Sequence, residues 1–207
     1  MKECYLFGSN VLQFKRIRIL DIRPPSRPDL LTGNAKDVQF FKVDISDASA
    51  VEAAFQAPWP SSSSAPGDPK PETTIFHTAA NIRFYERHPA LLPRSAKVNV
   101  DGTQNIINAA ISIGASVLVQ TSSASVAVRS NRFFLWPWEK EPKYFIQVLN
   151  DDDSHIPKRH EDFFSNYAAT KITGERLTRK TNGSLSGRGL LRTGCIRPGN
   201  GVFGPGS

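Results

Sequence analysis

The sequence predicts an α/β protein built on a doubly wound parallel sheet. Two observations predict it. Short apolar runs rich in β-branched and aromatic residues recur along the chain, which is the composition of strands. Between them lie stretches with helical spacing, and strands alternating with helices form βαβ units, whose strands pair in parallel.

The predicted strands cover residues 16–21, 38–44, 73–77, 116–121 and 190–197. Ser49-Ala50-Val51-Glu52 reads as a capping box that opens a short first helix. A second helix is expected from Val98, with apolar Ile106, Ile107, Ala110 and Ile113 on one face and Gly114 as its stop. A third is expected over 163–180. Two stretches break the rhythm. Residues 57–71 are rich in proline and serine and cannot build a core, so they read as a surface insert. Residues 129–161 mix Phe133, Phe134, Trp136 and Trp138 with charges, and read as a long excursion near the site, where substrate specificity could reside.

The 207 residues suit one domain with a real core. The net charge of +7 is spread from Lys2 to Arg197 without a dense run, which argues against a nucleic-acid partner. Cys4 and Cys195 are too few for a disulfide framework, so reduced thiols in a cytosol-facing protein are expected. No run is apolar for the roughly 18 residues that a membrane span requires. No metal site is expected.

Three places carry candidate chemistry. Tyr167 and Lys171 are four apart, so on a helix they share a face. An ammonium beside a phenol favours the phenolate, which makes an acid/base group usable near neutral pH. Ser122 and Ser123 end the fourth strand, and open parallel sheets bind ligands at their carboxyl edge. Asp21, followed by Arg23, ends the first strand where dinucleotide folds place a ribose-binding acid; Asp44 ends the next. The aspartate favours NAD, and a nearby arginine can accept the 2′-phosphate of NADP.

Five stretches then occur in a telling order: His77-Thr78-Ala79-Ala80, Val98-Asn99-Val100-Asp101-Gly102-Thr103, Thr121-Ser122-Ser123-Ala124-Ser125-Val126, Tyr167-x-x-x-Lys171, and Arg197-Pro198-Gly199 running to Phe203-Gly204-Pro205-Gly206. From about Arg16 onward the chain resembles the extended short-chain dehydrogenases, and within them the 3β-hydroxysteroid and sterol-4-carboxylate dehydrogenases. The resemblance implies a Rossmann-type domain and reversible hydride transfer between a sterol-like alcohol and NAD, with NADP as the alternative. It assigns Tyr167 as acid/base, Lys171 as its activator and a nicotinamide-ribose ligand, Ser123 as the residue orienting the substrate oxygen (Ser122 as fallback), and Asn99 as a structural and proton-relay residue. Asp21 is placed at the adenosine ribose, Asp44 and Ile45 at the adenine, Ala79 and Ala80 close to the cofactor backbone, and Pro198 at the nicotinamide pocket.

The family opens with a strand and a glycine-rich turn whose N–H groups hold the pyrophosphate. Before Arg16 this sequence offers only Gly8, so the first strand and its loop are expected to be missing, and with them strong cofactor affinity. The substrate-binding region beyond Ser207 is likewise expected to be absent. The chain thus reads as a partial NAD(P)-binding domain over 1–207, at home in the cytoplasm or at the cytoplasmic face of the endoplasmic reticulum. Membrane association through the missing regions and a homodimer are the other expected associations. A nucleotide sensor without catalysis, a nucleotide-sugar epimerase and a carbonyl reductase share these motifs.

Overall fold

The computed structural model describes residues 16–26, 32, 38–59, 72–131, 134, 136–140, 146–187 and 189–199. Its strands are β1 (Arg18–Asp21), β2 (Gln39–Lys42), β3 (Thr74–His77), β4 (Val117–Thr121), β5 (Ser184–Ser186) and β6 (Gly189–Ile196). Its α-helices are α1 (Ala48–Gln56), α2 (Leu92–Ala96), α3 (Thr103–Ile113) and α4 (Asn166–Lys180).

Each expected strand is present, and the pairing is parallel where βαβ connections require it. β1 pairs with β2, and β4 lies between β3 and β6, all in parallel. β5 is an addition that the sequence reading missed: it folds back on β6 as an antiparallel edge, with Gly183 and Gly187 at positive φ on either side. Among the described residues the ladder is in two pieces, β1-β2 and β3-β4-β6-β5. The expected loss of a first strand and glycine turn concerns residues before Arg16, which lie outside the described residues.

The core explains why the helices lie where they do. Val51 and Ala54 of α1, and Ile106, Ile107, Ala109 and Ala110 of α3, bury against Leu118 of β4 and Leu191 of β6. A second cluster joins Val126, Ala127, Ile156 and Phe163 to Ala168 and Ile172 of α4. α3 and α4 cover the face of the sheet that carries His77, Leu118, Gln120 and Leu191, and α1 packs beside α3. On the other face Phe76, Leu190 and Ile196 are each more than half exposed, and no described helix covers them.

Several ends differ from expectation for local reasons. The cap of α1 is Asp47, whose carboxylate accepts from the N–H groups of Ser49 and Ala50; Ser49 lies inside the helix, so the expected capping box does not form. The far end of α1 has no basic residue of its own. Arg18 of β1 supplies one, donating to the carbonyls of Ala54, Phe55 and Ala57 at 2.7, 3.2 and 2.8 Å. The second predicted helix begins earlier than Val98. A 3₁₀ turn at Pro89–Leu91 leads into α2, then a π turn at Lys97–Gly102, then α3. Pro89 and Pro93 sit in first turns, where no N–H is required. Gly114 ends α3 at φ 74°, as its position suggested.

Candidate active site

The candidates sit at the carboxyl ends of parallel strands, in both pieces of the ladder. Asp21 ends β1, His77 ends β3, and Ser122 and Ser123 follow β4. The edge continues past the strands, with Ser122 N–H donating to Ile196 O at 2.7 Å and Ala124 N–H to Pro198 O at 3.0 Å. Pro198 is thereby set beside Ser123. Ser123 also caps the 3₁₀ turn Ala124–Ala127, accepting from Ser125 N–H at 3.2 Å, with the two hydroxyls 2.8 Å apart.

α4 brings Tyr167 and Lys171 to this edge. Ser165 caps the helix by accepting from Ala168 N–H, and the first free N–H, that of Asn166, goes to Glu86 O at 2.9 Å. Gly174 lets the helix approach closely: a Cβ there would lie 2.5 Å from the Asn99 carbonyl oxygen. The phenol of Tyr167 faces Ser123, whose side chain favours its ionised form. Tyr167, Ser123 and Lys171 therefore converge, the last through its ammonium, which donates to Thr121 O at 2.5 Å.

The electrostatics differ from the sequence expectation. Burial pushes the Tyr167 phenol above its ordinary value, and the Ser123 side chain pulls the other way. The Lys171 ammonium is held by the Thr121 carbonyl, two residues before Ser123. Burial also lowers Lys171 to about 8, against the attraction of Cys195 and Glu175.

Asn99 lies in the π turn, a feature frequent at functional sites. Its amide accepts from Asn81 N–H at 2.8 Å and donates to Asn81 O at 3.1 Å and Thr170 Oγ1 at 3.0 Å. It binds the segment after β3 to α4 at the residue before Lys171. That is the structural part of its expected role; these bonds occupy both ends of its amide.

The remaining candidates lie at or just after the ends of β1, β2 and β3. Asp21 is half-buried and its carboxylate accepts from Arg23 N–H, while exposed Asp44 accepts from Ser46 N–H, both at 2.9 Å. Ile45 is a core residue packed against Gly102, and its carbonyl accepts from Asn105. Ala79 and Ala80 are half-buried after β3.

Buried polar residues to which the sequence assigns no role support the site. His77 is buried 2.9 Å from Thr103 Oγ1 and is lowered to about 3 by burial and then by Lys171, so it is neutral. Thr103 gives its own proton to Asn99 O, which leaves His77 Nε2 as the donor. Glu175, one turn beyond Lys171, is buried and paired with Arg197 through contacts of 2.7 and 3.0 Å. Asp153 of the excursion joins Arg197 at 2.7 Å. The positions four and eight after Tyr167 carried that signal; the partners, far along the chain, did not.

The pattern of the 3-beta hydroxysteroid dehydrogenase/isomerase family matches residues 7–207. A 3beta-hydroxysteroid-dehydrogenase/decarboxylase (isoform 2) of Arabidopsis thaliana is 32% identical over 199 residues, covering 92% of this chain and 28% of that protein. A decarboxylating sterol-4-alpha-carboxylate 3-dehydrogenase of Candida albicans is 30% identical, covering 92% of this chain and 44% of its own length. The chain thus spans less than half the length of these relatives. Among solved structures, an NAD-bound short-chain dehydrogenase/reductase superfamily protein from Agrobacterium tumefaciens superposes with a TM-score of 0.53 at 22% identity, over 87% of this chain and 40% of that one. A Thermus thermophilus UDP-glucose 4-epimerase in complex with NAD gives 0.53 at 21%, over 87% and 46%. At these identities the two structures establish the Rossmann-type fold.

Proposed function

We infer, because the chain belongs to the 3-beta hydroxysteroid dehydrogenase/isomerase family, that it serves NAD(P)-dependent oxidation of a secondary alcohol on a sterol-like ring. The observation that carries this reading is the convergence of Tyr167 and Ser123 beside Pro198, with Lys171 one turn along the same helix and bonded to Thr121 O.

The described residues fit the cofactor at both of its ends. Asp21 offers a half-buried carboxylate to a ribose hydroxyl at a strand end, with Arg23 beside it. Asp44 and the backbone of Ile45 would meet the adenine end. Ala79 and Ala80 carry only methyl groups, which permits close approach, and Lys171 and Pro198 stand at the nicotinamide end. NAD(P) supplies the hydride acceptor when bound.

The protein's own part is proton handling. Ser123 orients the alcohol oxygen, and Tyr167 takes its proton in oxidation or returns it in reduction. Burial opposes the phenolate, so oxidation gains with rising pH and ketone reduction with falling pH. With a carboxylate on the neighbouring carbon, the product is a β-keto acid, which loses carbon dioxide readily; the names of the Arabidopsis and Candida relatives favour this version. Such a substrate suits the cytoplasm or the cytoplasmic face of the endoplasmic reticulum. No helix of the described residues is long and apolar enough to cross a membrane.

The test is turnover of a 3β-hydroxysterol with NAD in large excess. Tyr167→Phe is expected to lower the rate at least about a hundredfold. Unchanged turnover in that variant overturns the assignment.

A further inference from the structure

The segment between β3 and α2 has two unlike sides. Its polar groups turn inward. Asn81 is clamped through its backbone N–H and carbonyl by the Asn99 amide, and its own side chain donates to Arg94 O at 3.1 Å. Arg83 donates to the Asn81 side chain at 3.1 Å and to the buried Glu86 carboxylate at 3.2 Å, which Arg94 also meets at 3.5 Å. Glu86 O and His88 O accept from the backbone and side chain of Asn166, the residue before Tyr167. The segment is thus tied to the helix that carries the phenol.

Its other side is apolar and open. Ile82, Phe84 and Tyr85 are 57%, 43% and 75% exposed, and the Tyr85 hydroxyl accepts from Arg83 at 3.3 Å, which leaves its ring free. Phe84 meets the ring of Tyr167 edge to face, with centroids 4.9 Å apart and planes at 72°. Three solvent-facing hydrophobic side chains held on an anchored loop beside a reactive phenol form a surface for an apolar ligand. Flexible loops can bury such groups by collapsing; this one is held open by its inward bonds.

We propose that residues 82–85 form the wall on which the substrate's ring system rests, with Phe84 as the specificity-determining residue. The proposal takes its substrate class, a flat polycyclic alcohol, from the dehydrogenase reading of Tyr167. A rigid ring system can cover Phe84 and reach the phenol at once, whereas a small alcohol at the phenol gains little from the wall.

The experiment has a binding arm and a selectivity arm. A 3β-hydroxysterol delivered from cyclodextrin is titrated into the protein and into Phe84→Ala, with intrinsic fluorescence as the readout. The dissociation constant is expected to rise about tenfold on losing the aromatic contact. The ratio of kcat/KM for the sterol to that for cyclohexanol is expected to fall by about the same factor, and Phe84→Tyr to restore both. No sterol binding by the unaltered protein, an unchanged dissociation constant in Phe84→Ala, or an unchanged ratio overturns the proposal. Binding is read without turnover. A chain that holds the sterol through Phe84 yet does not oxidise it loses the dehydrogenase reading and keeps the wall.

Discussion

Acidification should destabilise this protein through one imidazole. His77 has an ordinary value of 6.5 and is lowered to about 3, because the buried ring has no room for a second charge beside Lys171. The folded state therefore favours the neutral ring. Its contribution is complete above pH 6.5 and is lost as pH falls toward 3, since in that window the unfolded chain binds a proton that the folded chain refuses. Each pH unit in the window removes about 1.4 kcal/mol. At pH 4.5 the loss is about 2.7 kcal/mol, a sizeable part of the 5–15 kcal/mol that holds a typical domain together. Urea unfolding of the protein and of His77→Gln at pH 7 and pH 4.5 measures it. Glutamine keeps an N–H for Thr103 but does not titrate. The carboxyls of Asp47 and Asp153 are also held low and weaken in acid, but equally in both proteins. The unaltered protein should lose about 2.7 kcal/mol more than the variant. Equal losses would refute the argument that a neutral imidazole is enforced by the fold.

Two further predictions concern the frame around the site. Arg197→Met leaves Glu175 buried without its main partner and should cost about 3–5 kcal/mol by denaturant unfolding, with Glu175→Gln in the same chain recovering part of the loss. Gly174→Ala should destabilise by about 1–3 kcal/mol in a thermal melt although alanine is the better helix former, because its Cβ would meet the Asn99 carbonyl, Gln120 and Thr103.

The parts of the fold that were legible in the sequence are those encoded locally. The β-branched runs located the parallel strands, and Gly114 located the end of α3. Tyr167 and Lys171 were legible because a spacing of four has one meaning on a helix, and Ser123 because it follows a strand. Other features needed tertiary information. Asp47 and Ser49 are both good capping residues two apart, and only the path of the chain decides between them. Pro89 and Pro93 look like helix breakers until they are seen in first turns. β5 is three residues of Ser-Leu-Ser, too short for a pattern. Above all, the electrostatic balance at Tyr167 depends on how deeply the ring is buried, and residue spacing says nothing about that depth or about the bond from Lys171 to Thr121.

Gly174 lies seven residues beyond Tyr167, about 10 Å along the helix axis. It bears no functional group, yet it acts as the gauge block of the site. With nothing projecting from its α-carbon, α4 seats directly on the backbone at Asn99, and that single seating sets the depth at which the phenol meets the strand ends. Turnover in this protein should accordingly respond to substitutions that change the spacing of two backbones, even where every reacting group is left intact.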